Sequence, residues 1–418
     1  SAGRMNTGPF WPIRLGPRRL ALTRGTAMDL DFPPESETLR REVRAYLAAE
    51  WPPEKAREVA HLPPEYRGRN DEFSRKLGAK GWLGIGWPKE FGGQGRSYVE
   101  QLAFHEEMGY HRAPTGKHHM AVNIVGPTLM LVGSDELKQQ YLPRILAGDL
   151  QVCMGYSEPE AGSDLASLQT RVVEDGDDYV INGQKIFTTG AEVSDICWLG
   201  GRTDPDQPKH KGVSLFIVPM DTPGISISPI WCVGGLRTNH VYFDNVRVPK
   251  SAMVGERGRG FYNIAVALDF ERVMMGSNVA RMRRTFDDLV AYTREHTVDG
   301  TPIIDDPIVR HRLADLKIDL HVARLLTYKV VWMIDNQQMP NAEASLSKVL
   351  SSELQVRLAH TGMSMLGVYG SLYEDSRWAP LRGDLAWTYE TSLLGTIGGG
   401  SNEIQRNIIA QRGLGLPR

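Results

Sequence analysis

The spacing of apolar residues divides the chain into three stretches of different period. From Asp29 to about Leu150 the period is helical. In ESETLRREVRAYLAAEW, Leu39, Val43 and Leu47 recur every fourth residue with Glu and Arg between them, the one-sided stripe of an amphipathic helix. SDELKQQYLPRILAGD opens on Ser134 as a cap, carries Glu136 and Leu137 in its first turn, and then meets Pro143. GWPKEFGGQG, dense in Gly and Pro, reads as a loop. From Gln151 to about Val254 the pattern becomes that of short strands. DDYVINGQKIFTTG predicts a hairpin, a strand on each side of Asn182-Gly183, and GVSLFIVPM and HVYFDNVRVP are further β runs that end at proline.

From about Gly260 the helical period returns. FYNIAVALDFERVMMGSNVARMRRTFDDLVAYTREH predicts one long helix, and IVRHRLADLKIDLHVARLLTYKVVWMI and AEASLSKVLSSELQVRLAHTGMSML two more, long enough to pack as a bundle. SNEIQRNIIAQRGLGL closes the chain, capped by Ser401 or Asn402 after three glycines. The order predicts an α+β fold: an N-terminal helical domain (29–150), a middle β domain (151–257) and a C-terminal four-helix bundle domain (258–418). No GxGxxG follows a strand, so a nucleotide cofactor has to be held by something other than a Rossmann turn.

Composition changes this picture little. With 418 residues, two or three domains are expected. A net charge of −2 implies no general polyanion-binding surface, hence no nucleic acid. No apolar run approaches the ~20 residues of a membrane span. Cys153, Cys197 and Cys232 form no metal-ligand cluster; they read as small buried residues of a chain kept in a reducing, cytoplasmic setting. Residues 1–28 carry five arginines and no acid, but Pro9, Pro12 and Pro17 would interrupt a transit helix. They read as a tag, leader or upstream extension, with the first domain beginning near Met28.

GYSEPEAGSDLASLQT followed by DDYVINGQKIFTTG closely resembles the acyl-CoA dehydrogenase family, whose flavin-contacting segment has the form T/S-E-P-x-A-G-S/T-D. Here it is Ser157-Glu158-Pro159-Glu160-Ala161-Gly162-Ser163-Asp164. LPRILAGD, FDNVRVP and the terminal NEIQRNIIAQRGLGLP match in family order, so the resemblance spans Asp29 to Arg418. Within the family the likeness is to actinobacterial enzymes that shorten steroid or other bulky side chains. The resemblance implies FAD between the β domain and the bundle, an acyl-CoA substrate, electron-transferring flavoprotein as acceptor, and a homo- or hetero-tetramer.

Oxidising an acyl-CoA to the enoyl-CoA needs a base for the α-proton, a flavin to take the β-hydride, and donors to the thioester oxygen. Many family members place the base in a Y-E-G-T motif before the last helix; aligned on Ile404-Gln405-Arg406, that position is Gly399. A second subset places it in L-x-x-E-R on the first bundle helix, and LDFER supplies Leu268, Glu271 and Arg272. Loss at one position with presence at the other makes Glu271 the expected base. The Gly399 amide keeps an oxyanion role with no side chain, while Gly398 and its neighbours widen the acyl pocket. The resemblance also places Tyr156 and Ser157 at the flavin ring, Phe187 where many relatives use Trp against it, and Thr189 near N5. Ser401 and Glu403 go to the cofactor side, Ser163 and Arg272 to the CoA substrate.

The chain also departs from the family. Where homodimeric relatives use R-K-T-F-G to clamp a neighbour's FAD, this chain has His296 for the Arg and Asp299 for the Phe, and Ser364 replaces the Gln of a second clamp. A His is a weaker anion partner than a bidentate Arg, and an Asp repels phosphate. A heteromer follows as an expectation, a paralogous subunit supplying the missing clamp. Two other readings stand beside the dehydrogenase: a flavin oxidase or monooxygenase on the same fold, and a scaffold subunit of a heteromeric dehydrogenase.

Overall fold

The computed structural model describes residues 32–55, 70–114, 118–270 and 275–417, with the backbone alone at 266–270 and 275. Glu271, Arg272 and residues 1–28 lie outside the described residues, and so does the join within the long helix expected after Gly260.

The N-terminal unit is helical: α1 (Pro34–Glu50), α2 (Asp71–Ala79), α3 (Tyr98–Tyr110), α4 (Gly126–Val132) and α5 (Asp135–Ala147). Leu39, Val43 and Leu47 form the buried stripe of α1, as their spacing predicts. Ser134 caps α5, accepting from the Leu137 amide at 3.3 Å, and the helix runs through Pro143 rather than stopping there. The carbonyl that Pro143 leaves without a donor belongs to exposed Gln139 and can turn to water, which reduces the cost of the interruption.

Eight strands follow: β1 (Val152–Gly155), β2 (Arg171–Asp175), β3 (Asp178–Lys185), β4 (Ile196–Arg202), β5 (Val213–Pro219), β6 (Ile225–Trp231), β7 (Arg237–Pro249) and β8 (Met253–Val254). They form one sheet in the order β6-β7-β3-β2-β4-β5-β8, with β1 parallel to β4. Alternation along the central strands divides the core. Trp198, Leu215 and Ile217 pack with the N-terminal helices, while Cys197, Leu199, Phe216 and Val218 pack with the opposite face of the sheet. Cys153 and Cys197 are buried as expected; Cys232 is only partly so.

The expected Asn182-Gly183 turn is absent. Asp178–Lys185 is a single strand, and the hairpin turns instead at Gly176-Asp177 between β2 and β3. Asn182-Gly183 is a bulge in the pairing of β3 with β7. Gly183 has φ 149°, and a Cβ there would lie 2.8 Å from Thr170 Cα, so glycine serves a close crossing rather than a reversal.

The C-terminal unit contains α6 (Gly260–Phe270), α7 (Met275–Glu295), α8 (Pro307–Asp335), α9 (Asn341–Leu366), α10 (Asp384–Thr391), α11 (Leu393–Ile397) and α12 (Asn402–Ile408). A buried charge cluster ties it to the first unit: Glu106 accepts from Arg40 Nη2 at 2.5 Å and from Arg324 Nε at 2.8 Å. Charges taken out of water in this way persist because each is paired and hydrogen-bonded.

Three histidines sit in or beside the N-terminal core. Burial is the main force lowering all three, with repulsion from His119 second for His105 and His118: His105 and His118 fall to about 3, His119 to about 4. The unfolded chain takes up these protons near its ordinary value of about 6.5, whereas the folded chain takes them up only below about 4. The unfolded state therefore binds more protons in that window, and stability falls as pH falls through it, by at most about 4 kcal/mol per pH unit for three sites. We expect the denaturation midpoint to drop steeply from pH 6.5 to 4, and His105→Phe to flatten the slope by about a third; a midpoint level across that range would contradict the assignment.

Candidate active site

β1 delivers the chain at Tyr156 and Ser157 on the line of the sheet, Cys153 facing Cys197 across the ladder. The next turn is pinned by a two-way backbone bridge between Glu158 and Ala161, 3.0 Å each way. The buried Glu158 carboxylate accepts from the Gln169 amide (2.5 Å), the Thr170 amide (2.8 Å) and Lys185 Nζ (2.7 Å). Lys185, wholly buried at the end of β3, also donates to the Tyr156 carbonyl at 3.1 Å.

Burial alone would raise the Glu158 carboxyl; the Lys185 charge and the hydrogen bonds hold it below its ordinary value. Burial pulls the Lys185 ammonium down against the attraction of Glu158. The ionised pair is the neutral-pH state, because the carboxylate also serves two backbone amides that a neutral acid serves less well. Sequence reasoning passed over Lys185, since a strand lysine ordinarily faces water. The signal was its register: Tyr179, Ile181 and Lys185 share the inward side of β3.

The loop after β3 is fastened beside this anchor. Ile186 N donates to Ser157 O at 2.9 Å; Thr188 N donates to Asn239 O, and Asn239 Nδ2 donates back to Thr188 O, both at 3.0 Å. Thr189 Oγ1 bonds Thr238 Oγ1 at 3.1 Å. Between these fastenings Phe187 has φ 58° and a side chain 61% exposed. A left-handed backbone costs a non-glycine residue roughly 1–2 kcal/mol, and the bare ring costs more. Next to it the Thr188 hydroxyl is buried without a hydrogen-bond partner among the described residues. A strained aromatic face held beside Ser157, with a spare hydroxyl behind it, fits a flat conjugated partner such as a flavin ring. Ser157, Phe187 and Thr189 are thus brought together, and Tyr156 lends its carbonyl to Lys185. Ser163 stands apart, exposed beside Asp164, which Lys209 contacts at 2.9 Å.

The second group of expected site residues stands before α12. Gly398 is extended, Gly399 and Gly400 have φ 65° and 83°, and Ser401 caps α12 by accepting from Ile404 N at 3.4 Å. A Cβ at Gly399 would meet nothing within 4 Å, so the position is open in space but left-handed in backbone, which suits glycine and strains a glutamate. Glu403 is exposed in the first turn, held below its ordinary value first by its own amide and then by Ser401. The loop is tied to α9 through Asn402, which accepts from Lys348 Nζ (2.8 Å) and Ser352 Oγ (3.1 Å), while Lys348 also donates to Thr396 O at 3.3 Å. Sequence reasoning missed these anchors too; polar residues on a helix give no local sign of which loop they hold.

The divergent clamp positions are turned onto their own chain. His296 stacks on Tyr292 with ring centroids 3.7 Å apart. Asp299 and Gly300, φ 51° and 78°, make the tight turn of the two-stranded ribbon β9 (Thr297–Val298) and β10 (Thr301–Pro302). Ser364 Oγ donates to Thr361 O at 2.8 Å. Among the described residues, no group of His, Cys, Asp and Glu could hold a metal ion and no helix is long and apolar enough to cross a membrane.

Family models described as the N-terminal, middle and C-terminal domains of acyl-CoA dehydrogenase match residues 33–149, 153–246 and 258–414. The chain is 38% identical over 404 residues to acyl-CoA dehydrogenase FadE26 of Mycobacterium tuberculosis, covering 94% of this chain and 99% of that protein. Among solved structures, it is similar to the Tcur3481-Tcur3483 steroid ACAD, with 41% identity and a TM-score of 0.87 over 94% of this chain and 100% of that one. It is also similar to the ChsE4-ChsE5 complex from Mycobacterium tuberculosis, with 39% identity and a TM-score of 0.85 over 94% and 100%.

Proposed function

The chain belongs to the acyl-CoA dehydrogenase family, and on that premise we propose that it introduces the α,β double bond into a bulky, branched or steroid side-chain acyl-CoA, with Glu271 as the base. Acyl-CoA dehydrogenation, an oxidoreductase chemistry, is what the matched domains and relatives share. The observation that carries the flavin part of the reading is Phe187, exposed at a left-handed backbone position beside Ser157.

FAD, when bound, supplies the acceptor for the β-hydride. Ser157, Phe187 and Thr189 would hold its ring, Phe187 as the flat apolar wall, with Tyr156 beside them and Ser401 and Glu403 on the cofactor side of the glycine loop. Glu271 takes the α-proton, and Arg272 and Ser163 contact the CoA ester. The Gly399 amide donates to the thioester oxygen as charge builds there, a contribution of about 3–4 kcal/mol for a well-placed donor. Its left-handed backbone and open surroundings support a role without a side chain, which leaves proton removal to Glu271. Gly398 leaves room for a wide acyl group.

The assembly we propose is a heterotetramer with a paralogous chain. His296 stacks on Tyr292, Asp299 turns its own ribbon, and the Ser364 hydroxyl is engaged by Thr361 and Arg312, which leaves little to lend to a neighbour's cofactor. The likeness to the ChsE4-ChsE5 complex raises the same expectation. A cytoplasmic setting and electron-transferring flavoprotein as acceptor complete the proposal.

Anaerobic titration with a panel of acyl-CoAs tests it, with the chain purified alone and with its paralogue. We expect bleaching of the oxidised flavin spectrum by bulky acyl-CoAs, slow reoxidation by oxygen, and full flavin occupancy only with the paralogue. Fast aerobic reoxidation would favour the oxidase reading, and full occupancy of the chain alone would overturn the heteromer.

A further inference from the structure

The glycine loop before α12 is held at both ends by one side chain. Lys348 rises from α9, and its ammonium donates to the Thr396 carbonyl in the last turn of α11 (3.3 Å) and to Asn402 Oδ1 at the start of α12 (2.8 Å). One group thus grips both ends of the 397–401 connection. Ser352, one turn further along α9, donates to the same Asn402 oxygen at 3.1 Å. Asn402 Nδ2 donates to Glu353 at 3.2 Å, and Arg406 Nη2 donates to that carboxylate at 2.5 Å. The other side of the loop is held loosely. Gln405 Nε2 reaches the Gly399 and Gly400 carbonyls at 3.4 Å each, near the limit of a hydrogen bond.

Inside this frame the loop amides divide. Gly398 N donates to Leu394 O at 2.8 Å, and Ser401 takes the Ile404 and Gln405 amides. The Gly399 and Gly400 amides have no acceptor among the described residues. Free backbone donors in a fixed place suit an oxygen on which negative charge grows. Glycines do not fix that place themselves, because they lose more freedom on ordering than any other residue. The aim of the Gly399 amide therefore depends on how the two ends of the loop are tied. Stability alone does not account for the tie. The Lys348 ammonium is partly buried, burial pulls it down against the attraction of Glu403 and Glu353, and it serves two neutral oxygens rather than a carboxylate. It also stands at the start of α12, the end of a helix that disfavours a cation. What the charge provides there is a strong donor to each end of a loop that has few side chains to pack.

We propose that Lys348 is a positioning residue for the reaction: by bridging Thr396 and Asn402 it fixes the 398–401 loop so that the Gly399 amide meets the thioester oxygen. This rests on the dehydrogenase reading above, in which that amide is the oxyanion donor, and names the side chain on which its aim depends. Lys348 acts through the loop and touches neither substrate nor flavin.

The test compares Lys348→Met and Lys348→Arg with the unaltered protein, each in the flavin-loaded assembly with the paralogue. The rate probe is the CoA thioester of a steroid side-chain acid. The structural probe is its enoyl-CoA product, labelled with carbon-13 at the thioester carbonyl. Lys348→Met should slow anaerobic flavin reduction by about 10- to 100-fold, the scale of a reacting group misplaced by about an ångström, with the dissociation constant within about 3-fold. The infrared carbonyl band of the bound product, lowered in the unaltered protein by the oxyanion donor, should return toward its frequency in water. Lys348→Arg keeps a charged donor and should recover part of both. Ser352→Ala removes the second donor to Asn402 and should move both readouts the same way by less; it carries the test where Lys348→Met does not fold. An unchanged rate in whichever of these two variants folds, or a slowed rate with the carbonyl band of the unaltered protein, overturns the inference and leaves the dehydrogenase intact. An unaltered protein whose bound product shows the band of the free thioester, or whose flavin the thioester does not reduce, overturns the parent reading and this inference with it.

Discussion

Replacing Lys185 with methionine is expected to cost about 3–5 kcal/mol of stability and to strip the flavin from the middle domain. The magnitude is that of removing one partner from a buried ion pair. Lys185 Nζ is wholly enclosed and holds both Glu158 (2.7 Å) and the Tyr156 carbonyl (3.1 Å). Methionine has nearly the same length, so packing changes little and the loss is electrostatic. Glu158 would keep the Gln169 and Thr170 amides but would stand as an uncompensated buried charge. Adding Glu158→Gln should recover part of the loss, since it removes that charge while keeping an acceptor for the amides. Chemical denaturation measures the first effect, and the ratio of flavin to protein absorbance the second. A Lys185→Met protein with unchanged midpoint and full flavin would show that the pair is solvated in solution and does not hold the Tyr156–Glu158 segment.

The same pair shows which features could be read from sequence. Local signals survived folding: the Leu39, Val43, Leu47 stripe, the Ser134 and Ser401 caps, and the change of period near Gln151 all reappear as elements. Each depends on residues within one or two turns of itself. The Asn182-Gly183 prediction failed because the competing partner is remote. β7 offers a pairing edge along the whole of Asp178–Lys185, so continuing the strand through a bulge satisfies more backbone groups than reversing there. The anchors Lys185 and Lys348 escaped notice for a related reason, and Asn402 read only as a possible helix cap. Their worth lies in what a strand or loop from elsewhere brings to them, and a sequence read alone assigns such residues to solvent. Motif positions such as Ser157 and Phe187 were legible as a pattern, but the left-handed backbone that holds Phe187 outward comes from its fastenings to Ser157 and Asn239.

Glu271→Gln should slow substrate-driven flavin reduction by about 10²–10⁴-fold, the usual contribution of a positioned general base, while leaving acyl-CoA binding within a few-fold. Glutamine preserves the size and polarity of the side chain and removes only its ability to take a proton. A slowed chemical step beside an unchanged binding constant is a split that a merely structural residue would not cause. Gly399 makes the expectation sharp. Its φ of 65° sits in the region where a non-glycine residue costs roughly 1–2 kcal/mol. A side chain placed there would carry that strain despite the open space around it, so the position suits a backbone donor. Stopped-flow reduction under anaerobic conditions, with the thioester concentration varied, separates the binding constant from the chemical step. Undiminished reduction by the Glu271→Gln protein would remove the base from this chain. It would shift catalysis to the partner subunit, and leave this one the scaffold of a heteromeric dehydrogenase.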